Sequence, residues 1–326
     1  MLTIKVCEAH FYSMEGDMKK IAFVFPGQGA QYAGMGRDFY EQFEESQAVF
    51  DKANEILGLD IKSIIFDENE KLNITEYTQA AMITTIAAML AHINTMGIVP
   101  DVCAGLSLGE YAALIQSKVL SVEDAIKLVR KRGIYMQDAV PVGLGTMAAV
   151  LGMENEVVEK ICDDTKGIVS VANYNCPGQV VISGEVDAVE RASDSLGKVG
   201  AKKIIPLNVS GPFHSKMLMK AGEKLREELQ NISIHTPQIP YVANVTAQYV
   251  TYENDIIDLL SNQVSSCVRW QQSVEAMILD GVEVFIEIGP GKTLSSFIKK
   301  IDKTKAVINI DKVEDLQKLS ELSKGV

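Results

Sequence analysis

The chain has 326 residues, 47% of them hydrophobic and 23% charged, with 24 Gly and 9 Pro, which argues against a disordered, collagen-like or coiled-coil protein. Lys+Arg number 31 against 43 Asp+Glu, a formal charge of −12, so nucleic acid and anionic membrane are poor partners. The five cysteines (Cys7, Cys103, Cys162, Cys176, Cys267) form no C-x-x-C pair and have no His at ligand spacing, so reduced thiols in a cytoplasmic protein are expected, with no zinc site and no metal.

Residues 1–17 precede a second plausible start at Met18 and read as an N-terminal extension, with Lys5 and Glu8 where an export signal would need an apolar core. Ile21-Ala22-Phe23-Val24-Phe25 is a continuous apolar run followed by Pro26-Gly27-Gln28-Gly29. Such a run predicts a strand covered on both faces, the habit of a parallel sheet. Helices are predicted over 36–58 and 76–96. The apolar stretch Ala80–Ala91 in the second is too short to span a bilayer and suits a buried helix. A strand over 101–105 leads into Leu106-Ser107-Leu108-Gly109-Glu110, and Ser121 is the expected N-cap of a helix reaching about Val140.

From Gly145 to Asn208 the units shorten. Strand 147–151, helix 154–163, a hairpin around Asn175-Cys176-Pro177-Gly178 leading into Val180-Val181-Ile182, helix 185–198 and strand 203–209 make a βαββαβ order. That order predicts a small ferredoxin-like α+β subdomain over 145–209, inserted into a large α/β domain built from 18–144 and 210–326. The chain closes with a strand over 284–288, the turn Gly289-Pro290-Gly291 and a last helix to about Lys300.

Two glycine motifs fail their own tests. The third glycine of a dinucleotide fingerprint begun at Gly27 would be Tyr32, and the first glycine of a P-loop ending at Gly291-Lys292-Thr293 would be Ile286. Gly105-Leu106-Ser107-Leu108-Gly109 is complete. It is either a glycine-rich turn or a nucleophile elbow, and its place between a predicted strand and helix favours the nucleophile. Of four histidines, His10 lies in the extension, His92 in the apolar helix and His235 in a Pro-bounded loop, leaving His214 as the best general base; no Asp or Glu stands out as a third triad member. Arg132 has Leu128, Val129, Tyr135 and Met136 as helical neighbours, so it lies on an apolar face. It requires an anion, either an internal Asp or Glu or a substrate carboxylate.

Phe23-Val24-Phe25-Pro26-Gly27-Gln28-Gly29-Ala30-Gln31, Gly105-Leu106-Ser107-Leu108-Gly109-Glu110, Gly211-Pro212-Phe213-His214-Ser215, Asn244-Val245-Thr246-Ala247 and Glu287-Ile288-Gly289-Pro290-Gly291-Lys292 closely resemble malonyl-CoA:acyl carrier protein transacylases, in family order over about residues 19–300. The resemblance implies a hydrolase-like α/β core of mostly parallel sheet with a ferredoxin-like insert. It implies Ser107 as nucleophile, His214 as base and acid, and Arg132 as holder of the malonyl carboxylate. Gln28 and Leu108 would donate main-chain N–H groups to the oxyanion, and the Gln263 carbonyl would orient the histidine in place of an Asp. Phe213 matches a position linked with preference for malonyl over branched units, Asn173 is expected to line the pocket, and Leu106 stands where many members have His. Malonyl-CoA and acyl carrier protein are the implied partners, without nucleic acid or membrane. No resident cofactor is implied: the CoA thioester is substrate, and phosphopantetheine belongs to the carrier.

The implied reaction is ping-pong transfer through a malonyl-serine ester, supplying fatty acid synthesis. The alternatives are a discrete acyltransferase serving a polyketide synthase and, in a different class, a catalytically inactive carrier-protein docking module. Retention of Ser107, His214 and Arg132 together argues against the second. Carrier proteins of this system are acidic, so docking onto a chain of charge −12 needs a local basic cluster: Lys127, Arg130 and Lys131, or Lys299, Lys300 and Lys303.

Overall fold

The structure, a computed structural model, describes residues 19–322; the N-terminal extension expected over 1–17 lies outside them. β1 (Lys20–Phe25) leads through a glycine loop to α1 (Arg37–Gln42), α2 (Glu44–Leu57), α3 (Ile61–Phe66) and α4 (Thr75–Ile93). β2 (Val102–Gly105), α5 (Gly109–Gln116) and α6 (Val122–Asp138) complete the first part. The middle is β3 (Gly145–Leu151), α7 (Asn155–Asp164), β4 (Val169–Cys176), β5 (Gln179–Glu185), α8 (Val186–Lys198) and β6 (Lys203–Pro206). The last part is α9 (Met219–Leu229), β7 (Tyr241–Val242), β8 (Tyr249–Val250), α10 (Ile256–Gln263), α11 (Trp270–Leu279), β9 (Val282–Ile288), α12 (Thr293–Ile301), β10 (Ala306–Ile310) and α13 (Leu316–Leu322).

The large sheet runs β10-β9-β1-β2-β7-β8, parallel throughout except for the final β7–β8 pair. β1 lies in its middle with Ala22 to Phe25 fully buried, as its uninterrupted apolar run requires. The small sheet runs β4-β5-β3-β6, antiparallel at every pair, with α7 and α8 packed on it: the ferredoxin-like arrangement that the βαββαβ order predicts. α6 starts where expected, with Ser121 Oγ accepting the Asp124 N–H at 3.0 Å.

Three local expectations are corrected. The helix predicted over 36–58 is broken at Phe43, whose backbone is extended (φ −130°, ψ 123°) while its ring stacks on His92 at 3.4 Å. Side-chain packing there overrides helix propensity. The strand predicted over 203–209 ends at Pro206, and 207–209 becomes a loop over the cavity described below. The helix ending near Lys300 is not the last, since β10 and α13 follow. β10 is a half-buried edge strand behind a Lys-rich turn, too weakly apolar to stand out, and β7 and β8 have two residues each. No helix among the described residues is long and apolar enough to cross a membrane.

Candidate active site

The C-terminal ends of β1 and β2 open into a cavity of about 530 Å³ between the two sheets. Ser107 occupies the turn from β2 into α5, which only glycine permits at both ends. A Cβ on Gly105 would lie 2.0 Å from the Gly109 carbonyl carbon, and one on Gly109 would lie 2.1 Å from the Phe25 carbonyl oxygen. The turn puts Ser107 in the left-handed region at φ 51°, a strain of about 1 kcal/mol for a residue with a Cβ. Asn244 holds that strain in place: its Oδ1 accepts the Ser107 N–H at 2.6 Å and its Nδ2 donates to the Gly105 carbonyl at 2.7 Å.

His214, also left-handed at φ 59°, is delivered by the loop between β6 and α9. Its Nε2 lies 2.7 Å from Ser107 Oγ and its Nδ1 lies 2.8 Å from the Gln263 main-chain carbonyl. A carbonyl can only accept, so Nδ1 carries the proton and Nε2 is left free to take one from serine. Burial, and after it the Arg132 guanidinium, hold His214 well below the usual imidazole range, at about 4. A base held so low stays neutral far into acid. Acylation is expected to retain most of its kcat/KM at pH 5.5, where a histidine of ordinary pKa, about 6.5, would be roughly nine-tenths protonated. A pH–rate profile with its acid limb centred near 6.5 would contradict this assignment.

Arg132 is 1% exposed, with its guanidinium over the Tyr111 ring. No Asp or Glu forms a contact ion pair with it among the described residues, and the buried Glu110 acts on it only through space. Two amide oxygens bracket it instead: Nη1 donates to Gln79 Oε1 at 2.8 Å, and Nη2 to Gln263 Oε1 at 3.0 Å and to Ser107 Oγ at 3.2 Å. Neutral acceptors aim the guanidinium without neutralising it, so its charge remains available to a carboxylate in the cavity, one hydrogen-bond length from the serine oxygen.

The other residues singled out from the sequence fall into two positions. Gln28, Phe213 and Asn173 line the cavity with Ser107, His214 and Arg132, whereas Leu108 and Gln263 lie fully buried behind its wall. The main-chain N–H groups of Gln28 and Leu108 donate to no described residue, so both are free for an anionic oxygen at the serine. Sequence reading assigned no role to Gln79, Asn244 or Glu110. Asn244 and Glu110 were visible only as letters of motifs. Gln79 is an amide at the start of the long apolar stretch of α4, and a polar residue beside a buried run is the signal that points to it.

Glu110 is 1% exposed, and desolvation pushes its carboxyl up to about 7. Its Oε2 accepts from Gln263 Nε2 at 2.6 Å and from the Asn244 N–H at 3.2 Å. At the far side of the cavity, the buried Glu287 accepts the Leu294 and Ser295 N–H groups at 2.9 and 2.8 Å, tying the first turn of α12 to the end of β9. The arrangement can deprotonate a serine, stabilise an oxyanion on the main chain and hold a carboxylate nearby. It contains no group of three or more His, Cys, Asp or Glu that could hold a metal among the described residues.

Comparison with known proteins places this geometry. Residues 22–318 match the acyl transferase domain family. The chain is 45% identical over 304 residues (92% of it, 96% of the relative) to the malonyl CoA-acyl carrier protein transacylase of Bacillus subtilis (strain 168). Its fold superposes with a TM-score of 0.91 on the malonyl CoA-acyl carrier protein transacylase of Clostridium perfringens ATCC 13124, at 47% identity and covering 94% and 98% of the two chains. It superposes with a TM-score of 0.90, at 38% identity and 93% and 99% coverage, on a malonyl-transacylase solved in complex with its type II polyketide acyl carrier protein. On that coverage and identity, the chain belongs to the malonyl-CoA:acyl carrier protein transacylases of the acyl transferase domain family.

Proposed function

We propose that this chain transfers malonyl groups from malonyl-CoA to the phosphopantetheine thiol of acyl carrier protein in the cytoplasm, supplying fatty acid synthesis, with no resident cofactor. The observation that carries this reading is a buried guanidinium with no ion-pair partner, 3.2 Å from a serine oxygen that is itself 2.7 Å from a neutral histidine. His214 Nε2 takes the Ser107 proton as Oγ attacks the thioester carbon. The negative oxygen forms at the Gln28 and Leu108 N–H groups, each expected to lower the barrier by about 3–4 kcal/mol. The C–S bond then breaks and His214 returns its proton to the departing CoA sulfur. In the second half the carrier thiol gives its proton to His214, its sulfur attacks the serine ester, and Ser107 recovers the proton as the new thioester leaves.

Intact-mass measurement after mixing with malonyl-CoA tests the reading. A single malonyl adduct mapping to Ser107, discharged by carrier protein, is expected; no adduct points to an inactive docking module. Discharge by a polyketide carrier but not a fatty-acid carrier assigns the chain to the other pathway.

The two candidate docking clusters differ in availability. Arg130 pairs with Glu76 at 2.5 Å and lies over the Tyr77 ring, and Lys131 pairs with Glu228, so that patch is largely neutralised. Lys299, Lys300 and Lys303 form no ion pair among the described residues. They lie at or just beyond the last turn of α12, whose Thr293, Leu294 and Phe297 line the cavity. Reversing all three charges is expected to raise KM for carrier protein about ten-fold and leave KM for malonyl-CoA unchanged. An equal rise in both would assign the patch to CoA instead.

A further inference from the structure

A carboxyl group enclosed by apolar surface is costly to bury, by several kcal/mol when ionised, and it persists where something depends on it. Glu110 forms no ion pair among the described residues and does not line the cavity, so the transfer chemistry does not use it directly. What it touches are the two residues that hold the site together. Asn244, which donates its N–H to Glu110, supports the strained Ser107 turn. Gln263, which donates its Nε2 to the same carboxyl oxygen, carries both His214 and Arg132, one on its main-chain carbonyl and the other on its side-chain oxygen.

The Gln263 amide has two ends of opposite character, and its surroundings sort them. Its Nε2 faces only oxygens: Glu110 Oε2 at 2.6 Å, the Ser107 carbonyl at 3.0 Å and Asn244 Oδ1 at 3.4 Å. Its Oε1 faces the Arg132 Nη2 donor at 3.0 Å. Turned the other way, the amide would set N–H against N–H at arginine and oxygen against oxygen at Glu110. The shortest of these contacts is the bond to Glu110, the one side chain among them with no N–H to offer; the Ser107 carbonyl is likewise an acceptor only.

We infer that Glu110 is a positioning residue for substrate selection: through the Gln263 amide it sets the aim of the Arg132 guanidinium at the cavity beside Ser107, without touching substrate. The inference rests on the reading of Arg132 as the malonyl-carboxylate anchor. It separates two tasks within one motif, with Ser107 carrying the acyl group and the glutamate three residues later deciding, from behind the wall, which acyl group is held. A carboxamide at 110 keeps the size of the side chain but brings N–H donors to the Gln263 amide, which allows that amide to turn and withdraw its oxygen from Arg132.

The test is Glu110→Gln, read as the ratio of kcat/KM for malonyl-CoA over acetyl-CoA, in the wild-type and the Arg132→Ala backgrounds, with thermal melting as a check on folding. The ratio is expected to fall about ten-fold or more in the wild-type background and to stay unchanged where Arg132 is already absent. A solely structural role for Glu110 lowers both substrates together and leaves the ratio intact, which overturns the inference. So does a fall of the same size in both backgrounds, because the effect then bypasses Arg132. If Glu110→Gln does not fold, Glu110→Asp is read the same way, since it retains an oxygen-only end group but retracts it by one methylene. A wild-type enzyme that does not prefer malonyl-CoA refutes the anchor reading itself, whereas a preferring wild type with an unaltered variant refutes only the role of Glu110.

Discussion

Ser107→Ala is expected to abolish the malonyl adduct and lower kcat/KM for transfer by about 10⁴-fold or more. The expectation follows from how many features of the fold converge on this one oxygen. Close approach at Gly105 and Gly109 leaves no room for side chains, the turn is strained at φ 51°, and both ends of the Asn244 amide hold it. No second hydroxyl replaces it. Ser210 is engaged with Thr75 at 2.9 Å and Ser215 with the Pro212 carbonyl at 2.7 Å, and neither contacts the Nε2 that would remove a proton. Residual activity over solution chemistry should reflect only binding and the free N–H groups of Gln28 and Leu108. An adduct of undiminished yield on the alanine variant, mapped to any other residue, would overturn the assignment.

The second large effect is one of selectivity. Arg132→Ala is expected to cut kcat/KM for malonyl-CoA by about 10²- to 10³-fold while leaving acetyl-CoA within a few-fold, because removing one partner of a buried charge pair typically costs about 2–5 kcal/mol. Burial disfavours the guanidinium's charge, and in the free protein two amide oxygens and a hydroxyl bond to it while Tyr111 and the buried Glu110 offset the burial only in part. A malonyl carboxylate completes that compensation and an acetyl group leaves the charge unpaired, so discrimination arises as much from rejecting acetyl as from attracting malonyl. Arg132→Lys is expected to recover only part of the preference, since one ammonium cannot reach Gln79, Gln263 and substrate in the planar geometry the fork provides. Equal losses on both thioesters would mean that Arg132 supports the fold rather than the choice of substrate.

The parts of the fold that were legible in the sequence are those whose local pattern has a single physical solution. A five-residue apolar run closed by Pro26-Gly27, such as Ile21–Phe25, is too short for a helix and reads as a strand buried on both faces, and a Gly-x-Ser-x-Gly between strand and helix reads as a tight turn. The βαββαβ order of the insert was likewise readable before any contact was known. The break at Phe43, the two-residue strands β7 and β8 and the edge strand β10 were not, because each depends on what packs against it rather than on its own residues: Phe43 on the His92 ring, β10 on β9.

The same division runs through the site. Ser107 and His214 could be picked out because few residue types do their chemistry and the alternatives could be eliminated one by one. By itself the sequence singled out the elbow, a candidate general base, an arginine on an apolar face and the absence of an acidic third member standing out. Only the tertiary structure decided that Arg132 has no contact ion pair among the described residues, and that a main-chain carbonyl holds the histidine tautomer. It also decided that Gln79, Asn244 and Glu110 aim the rest. The reason is physical: a nucleophile is recognisable from its own atoms, whereas orientation belongs to pairs of residues 19 to 156 positions apart that meet only when the chain around the large sheet is folded.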